Sequence, residues 1–427
     1  MARPGLELVA RVNADLRERL RRLGVARGVT HLKPAPRPPE ETYPRASHAP
    51  GPITPVTLEP MATAFGPAWF HRTVYPIGHT HGDRPLSSAL ELAPEALARV
   101  AGGPGAPLRE ALFLDTETTG LAGGSGTLAF LVGVGYFEGE APDTHFIVDQ
   151  FFLRDPGQEA GMMTAIDGRL GGHRSLVTFN GKAFDIPLLE TRFVMSRLAP
   201  PFSELAHLDL LMPARRMWRG SLASCSLGSL EFHLLGVRRD QQDIAGFLIP
   251  QLYREYLQTG DMSDMSRVMY HNLLDILSMV TLAARLSDAF ESPRNAHEHL
   301  AVGRQHARAG AWEQAEQVYR AAVTRMADEA AGDGRAEIQR QLALALKRQA
   351  RHADAAEVWE QLADGEGEIA VEALTELAKH YEWRAIDLAR ALLCARRALR
   401  LASDAPTREA LRHRIARLER KLQVGPT

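Results

Sequence analysis

Cysteine is nearly absent: Cys225 and Cys394 are the only two in 427 residues. Two thiols so far apart rule out a disulfide framework or a zinc knuckle, and with no charged-apolar-small leader the expected compartment is the reducing cytoplasm. Long apolar runs are missing as well. Nothing approaches the roughly 20 residues needed to span a bilayer, so no membrane association is expected. Excess charge of either sign is also lacking. A formal net charge of −2 points to neither a nucleic acid nor an acidic partner from whole-chain electrostatics. Lysine is scarce: Lys33, Lys182, Lys347, Lys379 and Lys421 are five of fifty basic residues. Nucleotide bias in the source genome produces such an imbalance, so arginine content alone says little about phosphate binding. What remains is ample for folding, since 45% of the chain is hydrophobic and its length suits two or three domains.

Along the chain, Leu6, Val9, Val12, Leu16, Leu20 and Leu23 recur at three and four residues, which predicts an amphipathic docking helix within 1–33. Nine prolines between Pro34 and Pro60 then block helix and sheet, so 34–65 reads as an extended linker. In the next stretch, 66–107, His71, His79 and His81 stand among aromatics. Two histidines at i and i+2 can ligate zinc, but no third ligand lies at a suitable spacing. An extension packed on the following domain is the expectation. From 108 to 290, ALFLDTE, TLAFLVGVGYFEG and THFIVDQFFL read as three strands of an antiparallel meander. SLVTFN follows as a strand, AFDIPLLETRFVMSRL as a helix and HLDLLMP as a strand. That order predicts an α/β fold, an RNase H-like mixed sheet with flanking helices. Strands stop after Pro293. Over 293–424, Ala315, Ala355 and Ala391 fall at comparable places in helix-pair patterns, so a tetratricopeptide-like all-α solenoid is expected. The last helices are rich in Arg, and a solvated face is the simplest account of them.

The stretch FLDTETTGL places Asp115 and Glu117 two residues apart on a strand, on one face and about 7 Å apart along the backbone. Two such carboxylates repel unless a divalent cation neutralises them, and hard oxygen ligands suit Mg²⁺ or Mn²⁺. Two later stretches add to the pattern. In LVTFNGKAFDIPLL, Asp185 opens a helix after Asn180-Gly181-Lys182, and in MYHNLLDILSMV, His271 and Asp275 are four apart on one helical face, with Asn272 beside them. GGSG at 123–126 lacks the GK[ST] of a phosphate loop, which excludes nucleoside triphosphate binding.

Taken together, these three stretches resemble the DEDD superfamily of 3′ to 5′ exonucleases. More narrowly, DTETTGLAGGSGTLAFLVGVG with YHNLLD and a trailing repeat domain looks like the bacterial YprB-type group. The resemblance covers roughly residues 108 to 288. It implies that Asp115, Glu117, Asp185 and Asp275 bind two Mg²⁺ or Mn²⁺ ions and that His271 is the general base. His271 lies four residues before Asp275, where the His-type enzymes place the base five before. Tyr270 stands at that spacing, rotated about 140° around the helix from Asp275. The implied substrate is nucleic acid with a single-stranded or frayed 3′ end. Thr118, Thr119, Gly120 and Leu121 would meet that end, and Asn180 and Lys182 would orient the strand and a phosphate. Asp209 is a candidate for the rim of the site, and Arg238, Arg239 and Asp243 for contacts to the backbone of the strand. Two other classes compete with an exonuclease: an inactive scaffold acting through a protein partner of its repeats, and a metal-dependent endonuclease.

Overall fold

The computed structural model describes residues 56–92, 98–99, 107–120, 126–240, 243–325 and 333–424. The N-terminal helix, most of the Pro-rich stretch, and Leu121 with most of the GGSG run fall outside them.

Nine strands are described: β1 (Glu59–Thr63), β2 (Gly66–Pro76), β3 (Thr80–His81), β4 (Arg84–Pro85), β5 (Ala111–Thr118), β6 (Ala129–Glu138), β7 (His145–Phe152), β8 (Ser175–Thr178) and β9 (Ala206–Asp209). Seven form one sheet in the order β1-β2-β7-β6-β5-β8-β9, while β3 and β4 pair as a separate hairpin. The expected meander is β5-β6-β7, antiparallel throughout. The next two strands join parallel beside β5. Parallel pairing needs crossovers, and helices α1 (Glu159–Leu170) and α2 (Asp185–Met195) supply them. The RNase H-like mixed sheet is therefore present, with β5 at its centre. Residues Ala111 to Leu114 of that strand are wholly buried, as a strand covered on both faces requires.

Two features depart from the sequence reading. Helix α1 was not anticipated, because Gly161 and Gly168 weaken its helical pattern. Gly161 is there for packing: a Cβ would sit 3.0 and 3.1 Å from the carbonyl oxygens of Gly66 and Pro67. Strand β1 also lies inside the stretch read as linker, so ordered chain begins before residue 65. Pro60 is tolerated because β1 is the sheet's edge, where one missing N–H breaks no ladder between two strands. The predicted extension is thus an addition to the sheet, through β2 pairing with β7.

Further helices are α3 (Leu211–Trp218), α4 (Leu227–Leu230), α5 (Ile249–Thr259) and α6 (Ser263–Glu291). A π-helical turn, Glu231–Leu235, continues directly from α4. One sheet face packs α6 through Ile276, Met279, Val280 and Ala283 against Phe113, Phe146 and Val148. The other face packs Met162, Ile166, Leu189 and Tyr253 against Leu112, Leu114 and Phe130, with the Phe130 and Tyr253 rings stacked at 3.9 Å.

Seven helices follow: α7 (Ala296–Arg308), α8 (Trp312–Arg325), α9 (Asp333–Arg348), α10 (His352–Ala363), α11 (Gly367–Trp383), α12 (Leu388–Leu401) and α13 (Ala405–Val424). Left-handed turn residues Gly310, Ala350 and Ile386 join α7 to α8, α9 to α10 and α11 to α12. Five residues after each comes a buried alanine, Ala315, Ala355 or Ala391. This periodicity is the one visible in the sequence. Glu298 on α7 accepts hydrogen bonds from Trp218 and Arg285, which ties the helical region to α3 and α6.

Candidate active site

Asp115 and Glu117 lie on β5 just before its register with β6 breaks between Glu117 and Thr118. Opposite Asp115 on β6 is Gly133, and opposite Gly133 on β7 is Gln150. The missing side chain at Gly133 makes room for α6: a Cβ there would fall 2.2 Å from Asn272 Oδ1 and 2.4 Å from Ile276 Cδ1. Asn272, fully buried, fills that space. Its Oδ1 accepts from Gln150 Nε2 at 2.8 Å, and its Nδ2 donates to Asp115 Oδ2, also at 2.8 Å. The amide is thereby held in one orientation, and it fixes the carboxylate in turn.

Asp185 opens α2 and accepts from the Thr116 hydroxyl, whose side chain comes from the same strand as Asp115 and Glu117. The turn before it is built by Asp209, which accepts from the backbone N–H groups of Asn180, Lys182 and Leu211 at 2.9 to 3.0 Å. These bonds hold Asn180 at φ 68°, a conformation Asn tolerates better than most residues. Asp209 is therefore a clamp for the loop that leads into Asp185, rather than a carboxylate free at the rim.

One face of α6 carries the remaining groups. His271 Nε2 faces Asp275 Oδ2 at 3.8 Å and Glu117 Oε1 at 3.9 Å, and its Nδ1 lies 2.7 Å from Asp243 Oδ1. Assigning the Nδ1 proton to that short contact leaves Nε2 as the acceptor among the acids. Tyr270 points elsewhere, its hydroxyl 3.4 Å from Asp240 Oδ2. Arg239 is not a surface arginine. It donates to both oxygens of Glu231 at 2.6 Å and to Asp275 Oδ1, and it lies 3.5 Å from Asp243. Glu231, 1% exposed, also accepts from Ser278 Oγ at 2.6 Å, and Ser278 Oγ lies 2.8 Å from His81 Nε2. Burial pushes His81 down to about 4, which keeps the ring neutral. His81 thus belongs to a hairpin braced against this network, which is the structural use of the histidine-rich stretch. Gly82 and Gly236 permit that brace: their Cβ atoms would meet Leu235 O at 2.0 Å and the Asp83 carboxylate at 2.2 Å.

Electrostatics follow from the crowding. Burial, then the charges of Asp275 and Asp185, raise Asp115 well above the carboxylate range. Burial, then Asp115, Asp275 and Asp185, do the same to Glu117. Burial lifts Asp185 to about 6 against the opposing bond from Thr116. For His271 burial favours the neutral ring, but Asp275 and the bond to Asp243 outweigh it and raise its proton affinity. Four carboxylates from three elements thus face one another across a buried space.

The structure brings together Asp115, Glu117, Asp185, His271 and Asp275, with Asn272 and Arg239 among them. Thr118 and Thr119 are used in the turn: Thr118 Oγ1 donates to Gly120 O at 2.9 Å, and Thr119 Oγ1 accepts from Leu128 N at 3.0 Å. Lys182 is exposed next to Asp185. Arg238 lies over the Phe232 ring at 3.8 Å and donates to the Phe232 carbonyl, away from the acids. Asp243 orients His271, in place of the strand contact expected of it. Gln150, Glu231, Thr116 and Ser278 were missed. The polar pair Asp149-Gln150 inside an otherwise apolar strand was the available signal for the first.

Among the described residues, no three His, Cys, Asp or Glu side chains converge tightly enough to hold a metal ion as they stand. Their oxygens are engaged by neighbours instead: Asn272 on Asp115, Thr116 on Asp185, Arg239 on Asp275. Among the described residues none donates a hydrogen bond to Glu117. A set of hard oxygen donors with unbalanced like charge still fits a divalent cation in chemistry.

Residues 112–287 match the RNase_H_2 family of the RNase H superfamily. That domain points to nucleic-acid-cleaving hydrolase chemistry. The chain is also 31% identical over 357 residues to "Uncharacterized protein YprB" of Bacillus subtilis (strain 168), covering 81% of this chain and 84% of that protein. With its RNase H superfamily domain at the centre and similarity running over four-fifths of its length, the chain belongs to the YprB family.

Proposed function

We propose that the chain is a divalent-metal-dependent 3′ to 5′ exonuclease that removes nucleotides from single-stranded or frayed 3′ ends. The observation that carries this reading is the buried group of Asp115, Glu117, Asp185 and Asp275 facing His271 Nε2. Repelling acids gathered without a structural need are a mark of function. Asp115, Glu117, Asp185 and Asp275 would hold one or two Mg²⁺ or Mn²⁺ ions, which supply Lewis acidity at the phosphate and neutralise developing charge.

The chain's own residues do the rest. His271 Nε2 accepts a proton from the attacking water, and Asp243 keeps the other ring nitrogen protonated and the imidazole aimed. Water adds to phosphorus as the bond to the penultimate 3′ oxygen breaks. The terminal nucleotide leaves with a 5′ phosphate, and the shortened strand keeps a 3′ hydroxyl once its oxyanion is protonated. Arg239 orients Asp275 by its bond to Oδ1, so that Oδ2 faces the site. Phe184, 58% exposed immediately before Asp185, offers a ring on which a base can stack. Thr118, Thr119, Gly120 and Leu121 would line the 3′ terminus, and Asn180 and Lys182 the adjoining phosphate. The helix pairs beyond residue 293 would form a tetratricopeptide-like solenoid.

The test offers purified protein, with Mn²⁺ or Mg²⁺, end-labelled single-stranded and duplex DNA and RNA together with a circular strand. A ladder from the 3′ end with the circle intact is expected, along with its loss in Asp115→Ala and Asp185→Ala. A cut circle would replace this reading with an endonuclease, and no cleavage of any substrate with an inactive scaffold.

A further inference from the structure

Helices α9, α10 and α11 enclose a cavity of about 240 Å³ far along the chain from the acids. Its walls gather Lys347, Lys379 and Arg384, the histidines His352 and His380, and the indoles of Trp359 and Trp383. Glu376 is the one carboxylate in the lining, and it is shared by Lys347 and Lys379 at 2.5 Å each. Three permanent cations against one anion leave the cavity positive. His352 records that field: burial first, then Arg384, Lys347 and His380, lower its proton affinity. Arg384 makes no salt bridge among the described residues. His380 Nδ1 is buried without a hydrogen-bond partner.

The adjoining turn is also unusual. Trp383 is 54% exposed and Ile386 69% exposed, so two large apolar side chains flank Arg384 in solvent. Ile386 holds φ 56°, in the position occupied by Gly310 in the first helix pair. A β-branched residue is strained in that conformation, and nothing in the fold's packing is gained by exposing it.

We propose that this cavity binds single-stranded nucleic acid, with Lys379 and Arg384 on phosphate and Trp383 against a base. Cations beside an aromatic ring on an apolar floor match a phosphodiester chain, which presents an anion and a flat π-face in every unit. An acidic peptide would satisfy the cations but leave the indole without a partner. The choice of nucleic acid over other anions rests on the nuclease reading, whereas the cavity's positive charge and its exposed tryptophan do not.

The test measures binding to uncleaved strands, so that it stands or falls apart from hydrolysis. Full-length Asp115→Asn protein in EDTA is titrated against fluorescein-labelled 20-nucleotide DNA and RNA, followed by anisotropy across a salt series. Trp383→Ala should weaken binding about fivefold or more, in keeping with the loss of one stacked base. Lys379→Glu with Arg384→Glu should weaken it further and reduce the slope of log K against log salt by about one unit. All three side chains are at least partly solvent-exposed, and circular dichroism melts verify that the variants fold. Arg238→Glu, outside the cavity, should bind like the parent. Equal affinity across parent and cavity variants would overturn the proposal, as would displacement of the strand by a glutamate-rich peptide that also loses affinity in the Lys379 and Arg384 variant.

Discussion

Gly133→Ala is a one-carbon change that tests the geometry on which the site depends. The new methyl would begin 2.2 Å from Asn272 Oδ1 and 2.4 Å from Ile276 Cδ1, where ordinary contact starts near 3.4 Å. Sheet strand β6 is buried between two neighbours, so the displacement falls on α6, which must withdraw by more than 1 Å. Overpacking of this kind costs about 1–3 kcal/mol, or roughly 2–10 °C in melting temperature for a domain of this size. Function should suffer more than stability. Asn272 would lose its 2.8 Å bond to Asp115, and His271 and Asp275 would move with it, a misplacement worth about 10²-fold in rate. Gly135→Ala is the control: its methyl would meet Ile276 Cγ2 at 2.5 Å and Phe146 Cζ at 2.6 Å without touching Asn272. Differential scanning fluorimetry and Mn²⁺-dependent digestion of a 3′-labelled oligonucleotide read the two effects. The reasoning fails if Gly133→Ala keeps parental turnover, or if Gly135→Ala loses as much activity at an equal melting temperature.

Metal-free protein should be less stable near neutrality than in mild acid on account of the acid group. Asp185 stays protonated in the fold up to about 6 but ionises at 3.8 when unfolded, so its contribution, of the order of 3 kcal/mol, is present below about pH 4 and lost as pH rises through 6. Asp115 and Glu117 shift in the same direction, and added Mn²⁺ should raise the melting temperature far more at pH 7 than at pH 4.5. Asp243→Asn should move the acidic limb of kcat/KM to lower pH, because Asp243 is one of the groups that raises the proton affinity of His271; an unmoved limb would remove His271 as the titrating base. Glu231→Gln should lower kcat and weaken Mn²⁺ affinity in isothermal titration by loosening Arg239 on Asp275. The same change made in an Arg239→Gln background should then add little, and full additivity would show that Glu231 acts by another route.

How much of this was legible in the sequence differs by element. The meander, β8, β9 and the pairing of Asp115 with Glu117 follow from period-two apolar patterns and are present as read. The helix-pair spacing after Pro293 was visible because small residues recur at fixed intervals. Helix α1 was hidden by its glycines, one of which exists only to let the helix touch the backbone of β2. Asp209 and Arg239 were placed in contact with substrate because an acid at a strand end and an arginine on a loop look solvent-facing in one dimension. Their true partners, backbone amides in one case and Glu231 in the other, become neighbours only when the chain has folded. The bridge from Gln150 through Asn272 to Asp115 spans more than a hundred residues and leaves no local pattern at all.

The long helix α6 has a consequence for the order of events during synthesis. It bears His271, Asn272 and Asp275, and it is the last element of the nuclease domain to leave the ribosome. Until it docks on Gly133, a growing chain has Asp115 without its amide partner and no acceptor for a water proton. Cleavage competence therefore arrives in a single step at the end of the domain, so incomplete chains are born harmless to the nucleic acid around them.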